Sequence, residues 1–334
     1  MRAIASAVVG LILVLTSFAV SGTAQPSETT WKVAIGGETP DHRLQAQLFA
    51  PSTITIDAGD TVTWTMAAAF DHTVTFLSGS RPPDLFIPEN DRKLLFNPLV
   101  ALPQGLKTYA GKGIANSGVL MGRDKTYSLT FTKPGSYAYL CMLHPGMTGT
   151  VVVQPAGSPL PMNQAAYDKK GAQQVATAIA RGQALLASTK VTKSKGAKGT
   201  VYTSPMVGSL PSHASVIGFV PEAINIKAGD TVRWVLKDPI ELHTVTFSGT
   251  EPTPEFVLAE PQPKGPPKLY FNSKGVYPAG GPVHKGAGSY NSGFMNLSSR
   301  GPTTYSLTFT KPGTYTYWCV VHVPQGMKGV VNVQ

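Results

Sequence analysis

The sequence predicts an all-β fold built twice: two tandem β-sandwiches joined by a partly helical linker. Three observations predict it. Long stretches recur almost unchanged about 170–180 residues apart, as when Thr126–Gly135 (TYSLTFTKPG) returns as Thr304–Gly313. Within each copy, short runs alternate polar and apolar residues between Gly- and Pro-containing turns. Neither copy contains a long apolar period of helical spacing.

The repeat is a duplicated domain. Ala58-Gly59-Asp60-Thr61-Val62-Thr63-Trp64 returns as Ala228-Gly229-Asp230-Thr231-Val232-Arg233-Trp234, and His72-Thr73-Val74-Thr75-Phe76 returns as His243-Thr244-Val245-Thr246-Phe247. Asn116-Ser117-Gly118 returns as Asn291-Ser292-Gly293. A period of this length exceeds that of solenoid repeats. Thr53–Ile56, Thr61–Trp64 and Tyr127–Thr132 alternate as half-buried strands do, and Gly149–Val153 closes the first unit. Many short strands with Pro and Gly turns point to a β-sandwich. The segments 79–122 and 249–301 read as insertions of loops and short turns.

The resulting organisation is residues 1–24 as a signal peptide, 25–154 and 201–334 as the two domains, and 155–200 as the linker. Arg2, an apolar run over residues 7–15 and the exit Gly22-Thr23-Ala24 have the form of a secretory signal, which implies an extracellular or periplasmic protein. An uncleaved anchor is the alternative, although the run is near the short limit for a span. In the linker, Tyr167, Gly171, Val175, Ile179, Gly182 and Leu186 fall at near-helical spacing, with Asn163 as N-cap. Thr189–Gly199 is mostly Lys, Ser, Gly and Thr, the composition of a flexible tether.

The net charge of +10 does not indicate a nucleic-acid-binding surface. Residues 25–154 balance to zero and 201–334 to +3, while the linker alone carries +6. A run of this kind is ordinarily a solvated face, and contact with an acidic membrane surface through it is the lesser reading.

The chain has two cysteines, and in a secreted protein a disulfide is the first reading to weigh. Their surroundings argue otherwise. Cys141-Met142-Leu143-His144-Pro145-Gly146-Met147 and Cys319-Val320-Val321-His322-Val323-Pro324-Gln325-Gly326-Met327 each present a thiolate, an imidazole and a thioether in one short loop. A Cys141–Cys319 bond would bring the same loop of both domains together and leave the patterned His and Met without a role. His72 or His243 stands at the start of a strand upstream. Two imidazoles, a thiolate and a distant axial Met make the blue-copper arrangement. Zinc accepts the same His and Cys donors and is the rival metal.

On these residues the chain resembles the cupredoxins, the blue-copper family of plastocyanin, pseudoazurin, amicyanin and auracyanin. The early His, Cys-x2-His and following Met carry the resemblance, together with the AGDTVTW and TKPGSYAY stretches. It covers both units and not the linker. It implies Greek-key sandwiches with two type 1 copper sites: His72, Cys141, His144 and Met147 in one, His243, Cys319, His322 and Met327 in the other. In many members an Asn follows the first His; here Thr73 and Thr244 stand there. The resemblance further implies an electron carrier whose loop His edges, His144 and His322, emerge in apolar patches that dock redox partner proteins. Met142, Leu143, Pro145 and Gly146 would form one patch, and Val320, Val321, Val323 and Pro324 the other.

Two other functions compete. Copper oxidases and nitrite reductases share the fold but need further His ligands. This chain has no His-x-His, and only His42, His213 and His284 remain. Copper storage or delivery favours Met-rich or His-rich tracts, and none is present. The expectation is a carrier and not an enzyme.

Overall fold

The computed structural model describes residues 29–296 and 301–334. The signal-peptide reading and a few residues of the second insertion lie outside them. Strand alternation appears where the sequence places it. Thr53–Asp57 and Thr61–Met66 bury every second side chain, with Ile54, Ile56, Val62, Trp64 and Met66 inside.

Each repeat is a sandwich of two sheets. In the first, Thr30–Glu38 lies parallel to Thr61–Met66 and antiparallel to Leu44–Ala50, and Thr126–Phe131 completes the layer. The opposite layer pairs Gly135–Leu140 with Thr148–Gln154, and the latter with Thr53–Asp57. Trp64, Phe76, Phe131 and Tyr139 fill the space between, their ring centroids 5.1–6.4 Å apart. The second repeat rebuilds this core with Trp234, Phe247, Phe309 and Tyr317.

The repeats are not strung on a tether. Leu44–Ala50 of the first pairs antiparallel with Ala214–Val216 of the second, so one eleven-stranded sheet runs through both. The register is informative: Leu44 faces Val216, Gln45 faces Ser215 and Ala46 faces Ala214. Ala58 recurs as Ala228, and at that same offset Gln45 recurs as Ser215. Gln45 thus meets its own copy, and Leu44 meets the copy of Ala46, across a local two-fold, as in the self-complementary interface of a symmetric dimer. Flanking bonds obey the same symmetry: Gln47 N donates to His213 O and Ile217 N to Arg43 O, each at 2.8 Å.

The insertions hold more structure than loops and turns. Phe86–Asn90 with Lys93–Phe96, and Val257–Glu260 with Lys268–Phe271, form hairpins that join edge to edge in a four-stranded sheet. Leu95 faces Tyr270 and Leu94 faces Phe271, again residues opposite their own copies or those of their neighbours. Phe96, Val100, Phe271 and Val276 form a shared apolar cluster beneath them. The crossed pairs Lys93–Glu260 (2.8 Å) and Lys268–Glu89 (3.3 Å) are partly exposed and contribute little.

The linker is docked as well. A helix, Gln164–Ser188, starts where Asn163 Oδ1 accepts from Ala166 N, at 3.0 Å. Its buried face is Tyr167, Gly171, Ala178 and Gly182, packed on the Leu44–Ala50 strand and its neighbours. The predicted tether instead contains Thr192–Lys195, which folds back as a strand on Thr200–Thr203.

Gly171 explains how close the helix sits. A Cβ there would lie 2.9 Å from the Ala50 carbonyl carbon and 3.0 Å from Pro51 N, which are backbone atoms that cannot yield easily. At Gly182 the nearest atoms are 3.4 and 3.5 Å away, in ordinary contact. Gly171→Ala is expected to destabilise by about 1–3 kcal/mol through overpacking, although alanine is the better helix former. Gly182→Ala should leave the melting temperature unchanged or raise it. Thermal unfolding of the two variants side by side checks this, and equal effects would contradict the packing argument.

Candidate metal centres

In each repeat, elements from both sheets bring three side chains to one end of the sandwich. His72 follows the bend after Thr61–Met66 and is pinned by a two-way backbone pairing with Leu120 (3.2 and 2.8 Å). Cys141 comes directly after Gly135–Leu140. Its loop is closed by Cys141 N donating to Met147 O at 2.9 Å and Met147 N donating to His144 O at 3.2 Å. The second repeat uses the same closure over a longer loop wound as a 3-10 turn, with Cys319 N to Met327 O and Met327 N to His322 O both at 3.1 Å.

The donors converge. Cys141 Sγ lies 3.7 Å from His72 Nδ1 and 3.4 Å from His144 Nδ1, and the two Nδ1 atoms are 3.0 Å apart. Cys319 Sγ lies 3.7 Å from His243 Nδ1 and 3.3 Å from His322 Nδ1. Donors that bond one ion at about 2.0–2.3 Å sit about 3–4 Å from one another, so both sets fit a single metal. All six residues are buried, and among the described residues no other cluster of metal-binding side chains forms. Met147 and Met327, at the loop ends, are buried in the two main cores.

Both cysteines are free, which removes the disulfide reading. Burial by itself would raise the Cys141 thiol, but the hydrogen bond and charge of His72 and the Thr73 N–H outweigh it and lower it. Cys319 is likewise held well below its usual range against burial, by the charges and hydrogen bonds of His322 and His243. Thr73 N and Thr244 N each donate to the cysteine sulfur at 3.3 Å. Each site is therefore arranged to hold a thiolate, the form that binds a soft metal.

The threonines in the place of the family's Asn also fix the cysteine loops. Thr73 Oγ1 accepts from Met142 N at 2.8 Å and from Thr75 Oγ1, which is also 2.9 Å from Asn116 Oδ1. Asn116 Nδ2 in turn donates to carbonyls of the helical turn Pro98–Ala101 and of Leu102. The second repeat matches: Thr244 Oγ1 accepts from Val320 N at 2.9 Å, beside Thr246 and Asn291. The duplicated Asn-Ser-Gly motif thus carries a hydrogen-bonded chain from the insertion to the metal loop. Its recurrence in both copies was the available signal.

The two sites differ on their far sides. Asp238 Oδ2 lies 4.0 Å from His243 Nε2, both fully buried. The corresponding edge of His72 lies against Gly36, where an added Cβ would come within 2.9 Å of Nε2, and neither His72 Nε2 nor His243 Nε2 makes a hydrogen bond. Burial lowers the His72 pKa; at His243 the neighbouring Asp238 carboxylate and the Cys319 sulfur overcome burial and raise it.

The two loop histidine edges are covered, while the residues expected around them are covered only in part. His144 and His322 are 6% and 1% exposed. Met142 and Leu143 pack into the cluster shared by the two insertions, Val320 is buried beside Gly275, and Gly146 abuts Leu210 of the other repeat. The reason is the edge-to-edge pairing, which turns both loops toward the domain interface; only Pro145, Gly146, Pro324 and Gly326 remain exposed. His42 and His213 sit in left-handed turns (φ 58° and 49°) outside the clusters, with His42 Nδ1 2.9 Å from Glu38 Oε2. His284 is packed among Phe247, Tyr290, Phe309 and Tyr315, a structural role.

Two sandwiches, each with a buried His–Cys–His set on a closed loop, define a copper protein of the cupredoxin class. Comparison with known proteins agrees: residues 41–154 and 208–334 match the copper-binding proteins of the plastocyanin/azurin family, and the chain belongs to that family. It is 32% identical over 111 residues to plastocyanin of Scenedesmus fuscus, covering 33% of this chain and 89% of the relative. The same identity and length hold for chloroplastic plastocyanin of Tetradesmus obliquus, of which 60% is covered. Amicyanin of Paracoccus versutus is 30% identical over 101 residues, 30% of this chain and 54% of the relative. The chain thus spans less than two thirds of two of these three relatives. A crystal structure of the latter amicyanin aligns over 37% of this chain and 81% of its own, at 25% identity and a TM-score of 0.23. The family binds copper, and the two clusters, one per domain, match two copper sites.

Thr73→Val keeps the side-chain shape but leaves Met142 N–H without its acceptor, at a cost of about 1–3 kcal/mol. The first site is expected to keep its copper and release it faster to a chelator, while release from the second is unchanged. Thr244→Val should show the mirror pattern, and release rates that do not move would contradict the loop-fixing role.

Proposed function

We propose that the chain is a secreted electron-transfer protein with one mononuclear type 1 copper centre in each domain. His72, Cys141, His144 and Met147 hold one ion, and His243, Cys319, His322 and Met327 the other. The observation that carries this reading is the convergence of two buried His–Cys–His sets on duplicated, hydrogen-bonded loops. Copper bound there supplies a one-electron couple, since thiolate suits Cu(I) and imidazole suits both oxidation states.

The chain's own contribution is to hold the donors still. His72 is fixed by its pairing with Leu120, and Cys141 by the Met147 closure and the Thr73 bonds. A ligand cage held by backbone hydrogen bonds limits rearrangement when the ion changes charge, which favours rapid transfer. An enzyme of this fold needs an open metal position for its substrate. Among the described residues the remaining histidines, His42, His213 and His284, do not join one another or either cluster. That supports a carrier over an oxidase or reductase. Redox proteins are the partners this chemistry calls for, and their docking surface is one other than the covered His144 and His322 edges.

The copper-loaded protein is expected to contain two coppers per chain and to show intense thiolate-to-copper absorption when oxidised. Cys141→Ser should remove one copper and part of the band, leaving the other site filled. Metal analysis beside the visible spectrum checks this. One copper in the unaltered chain, or two without the band, would overturn the assignment.

A further inference from the structure

The two clusters share a third group. Glu241 stands two residues before His243, where the first repeat has Phe70, and it is 5% exposed. Its Oε1 lies 3.3 Å from His144 Nε2, and its Oε2 lies 3.4 Å from His322 Nε2. The Nδ1 atoms of the same two rings face Cys141 and Cys319. A neutral imidazole whose Nδ1 takes a metal carries its proton on Nε2 and donates there, and a carboxylate accepts. One carboxylate therefore stands within ion-pair distance of a ring of each site.

The position follows from the symmetry of the fold. His144 and His322 are copies of one residue, brought face to face by the same pairing that sets Gln45 opposite Ser215. A carboxylate has two equivalent oxygens, so a single Glu between them serves both rings alike. Gln47 Nε2 also donates to Oε1, and the Phe70 ring lies 5.3 Å from that of His322, closing the link against water. Burying a carboxylate is costly, and packing alone would be better served by an apolar residue. From one Nδ1 to the other, the path crosses two non-covalent gaps.

Building on the two-copper reading, we propose that Glu241 joins the centres into one coupled pair, with His144–Glu241–His322 as the route of electron exchange inside the chain. In the step, Cu(I) of one centre is oxidised to Cu(II) as Cu(II) of the other is reduced to Cu(I). No proton moves and the total charge is unchanged. The histidine edges that would otherwise face solvent face each other, so each centre's nearest exchange partner is its duplicate. Asp238, beside His243, favours the more positive ion at the second centre, so the shared electron rests mainly at the first.

The test uses the full chain with two coppers verified by metal count and thiolate absorption. Oxidised protein receives less than one electron per chain from a pulsed radical reductant, and rapid-freeze EPR follows each Cu(II) signal. Cys141→Ser and Cys319→Ser, each keeping one copper, supply the reference spectra. Expected is a first-order redistribution whose rate does not change on tenfold dilution and which leaves the first centre reduced. It should slow by about tenfold or more in Glu241→Gln with both coppers retained, because one charge-assisted acceptor is lost. Redistribution that scales with protein concentration, or a Glu241→Gln rate equal to that of the unaltered chain, would overturn the proposal. If Glu241→Gln does not hold copper, the dilution series on the unaltered chain decides alone. An unaltered chain without copper or its band would instead remove the two-copper reading on which the proposal rests.

Discussion

The antiparallel pairing of one edge strand with its own duplicate is the constraint on which the rest of this structure depends. An open strand edge offers unpaired N–H and C=O groups and must be covered or paired. Here Leu44–Ala50 is paired by Ala214–Val216, and the register about Gln45 and Ser215 imposes a local two-fold on the two domains. The insertion hairpins repeat that symmetry through Leu95 and Tyr270. Once both contacts are made, the two cysteine loops face each other and the Gln164–Ser188 helix has a sheet surface to pack against.

That arrangement changes what duplication means for the chemistry. Two carriers on a flexible tether would present two histidine edges to solvent and act independently. In this chain the edges of His144 and His322 close on a single buried carboxylate. Burial alone would push the Glu241 carboxyl up, but the charges of His144 and His322 and the hydrogen bond from His322 hold it down at about 2. The copies have also diverged around the ligands: Asp238 stands beside His243, whereas Gly36 backs His72. Near-identical ligand sets in unlike electrostatic surroundings have the makings of two centres with different potentials.

Much of this could be read from residues alone, for definite reasons. The ligand spacing survives in both copies because a metal site tolerates few changes of donor or order. Cys141-x2-His144 and Cys319-x2-His322 were therefore visible without coordinates, as were the strand alternation and the Asn163 cap. The domain pairing was not, because an edge strand that meets another domain carries the same polar–apolar pattern as one that meets its own. Leu44–Ala50 is buried on every residue, a mark of a covered edge that only coordinates reveal. The Lys-rich stretch after the helix has the composition of a tether, yet Thr192–Lys195 is held by backbone bonds that its side chains do not announce. Glu241 was hidden for another reason. A lone acid near a histidine is common, and its meaning comes from His144, 97 positions earlier in the chain. The contrast between Phe70 and Glu241, just ahead of the matching His-Thr-Val-Thr-Phe runs, was an available hint.

Crystallographic anomalous scattering measured on both sides of the copper absorption edge tests the central claim most directly. Two peaks are predicted per chain, one among His72, Cys141 and His144 and one among His243, Cys319 and His322, lying on opposite sides of the Glu241 carboxylate. A single peak, or a peak between His144 and His322 at Glu241 itself, would contradict the account of two separate copper centres joined by a shared acceptor.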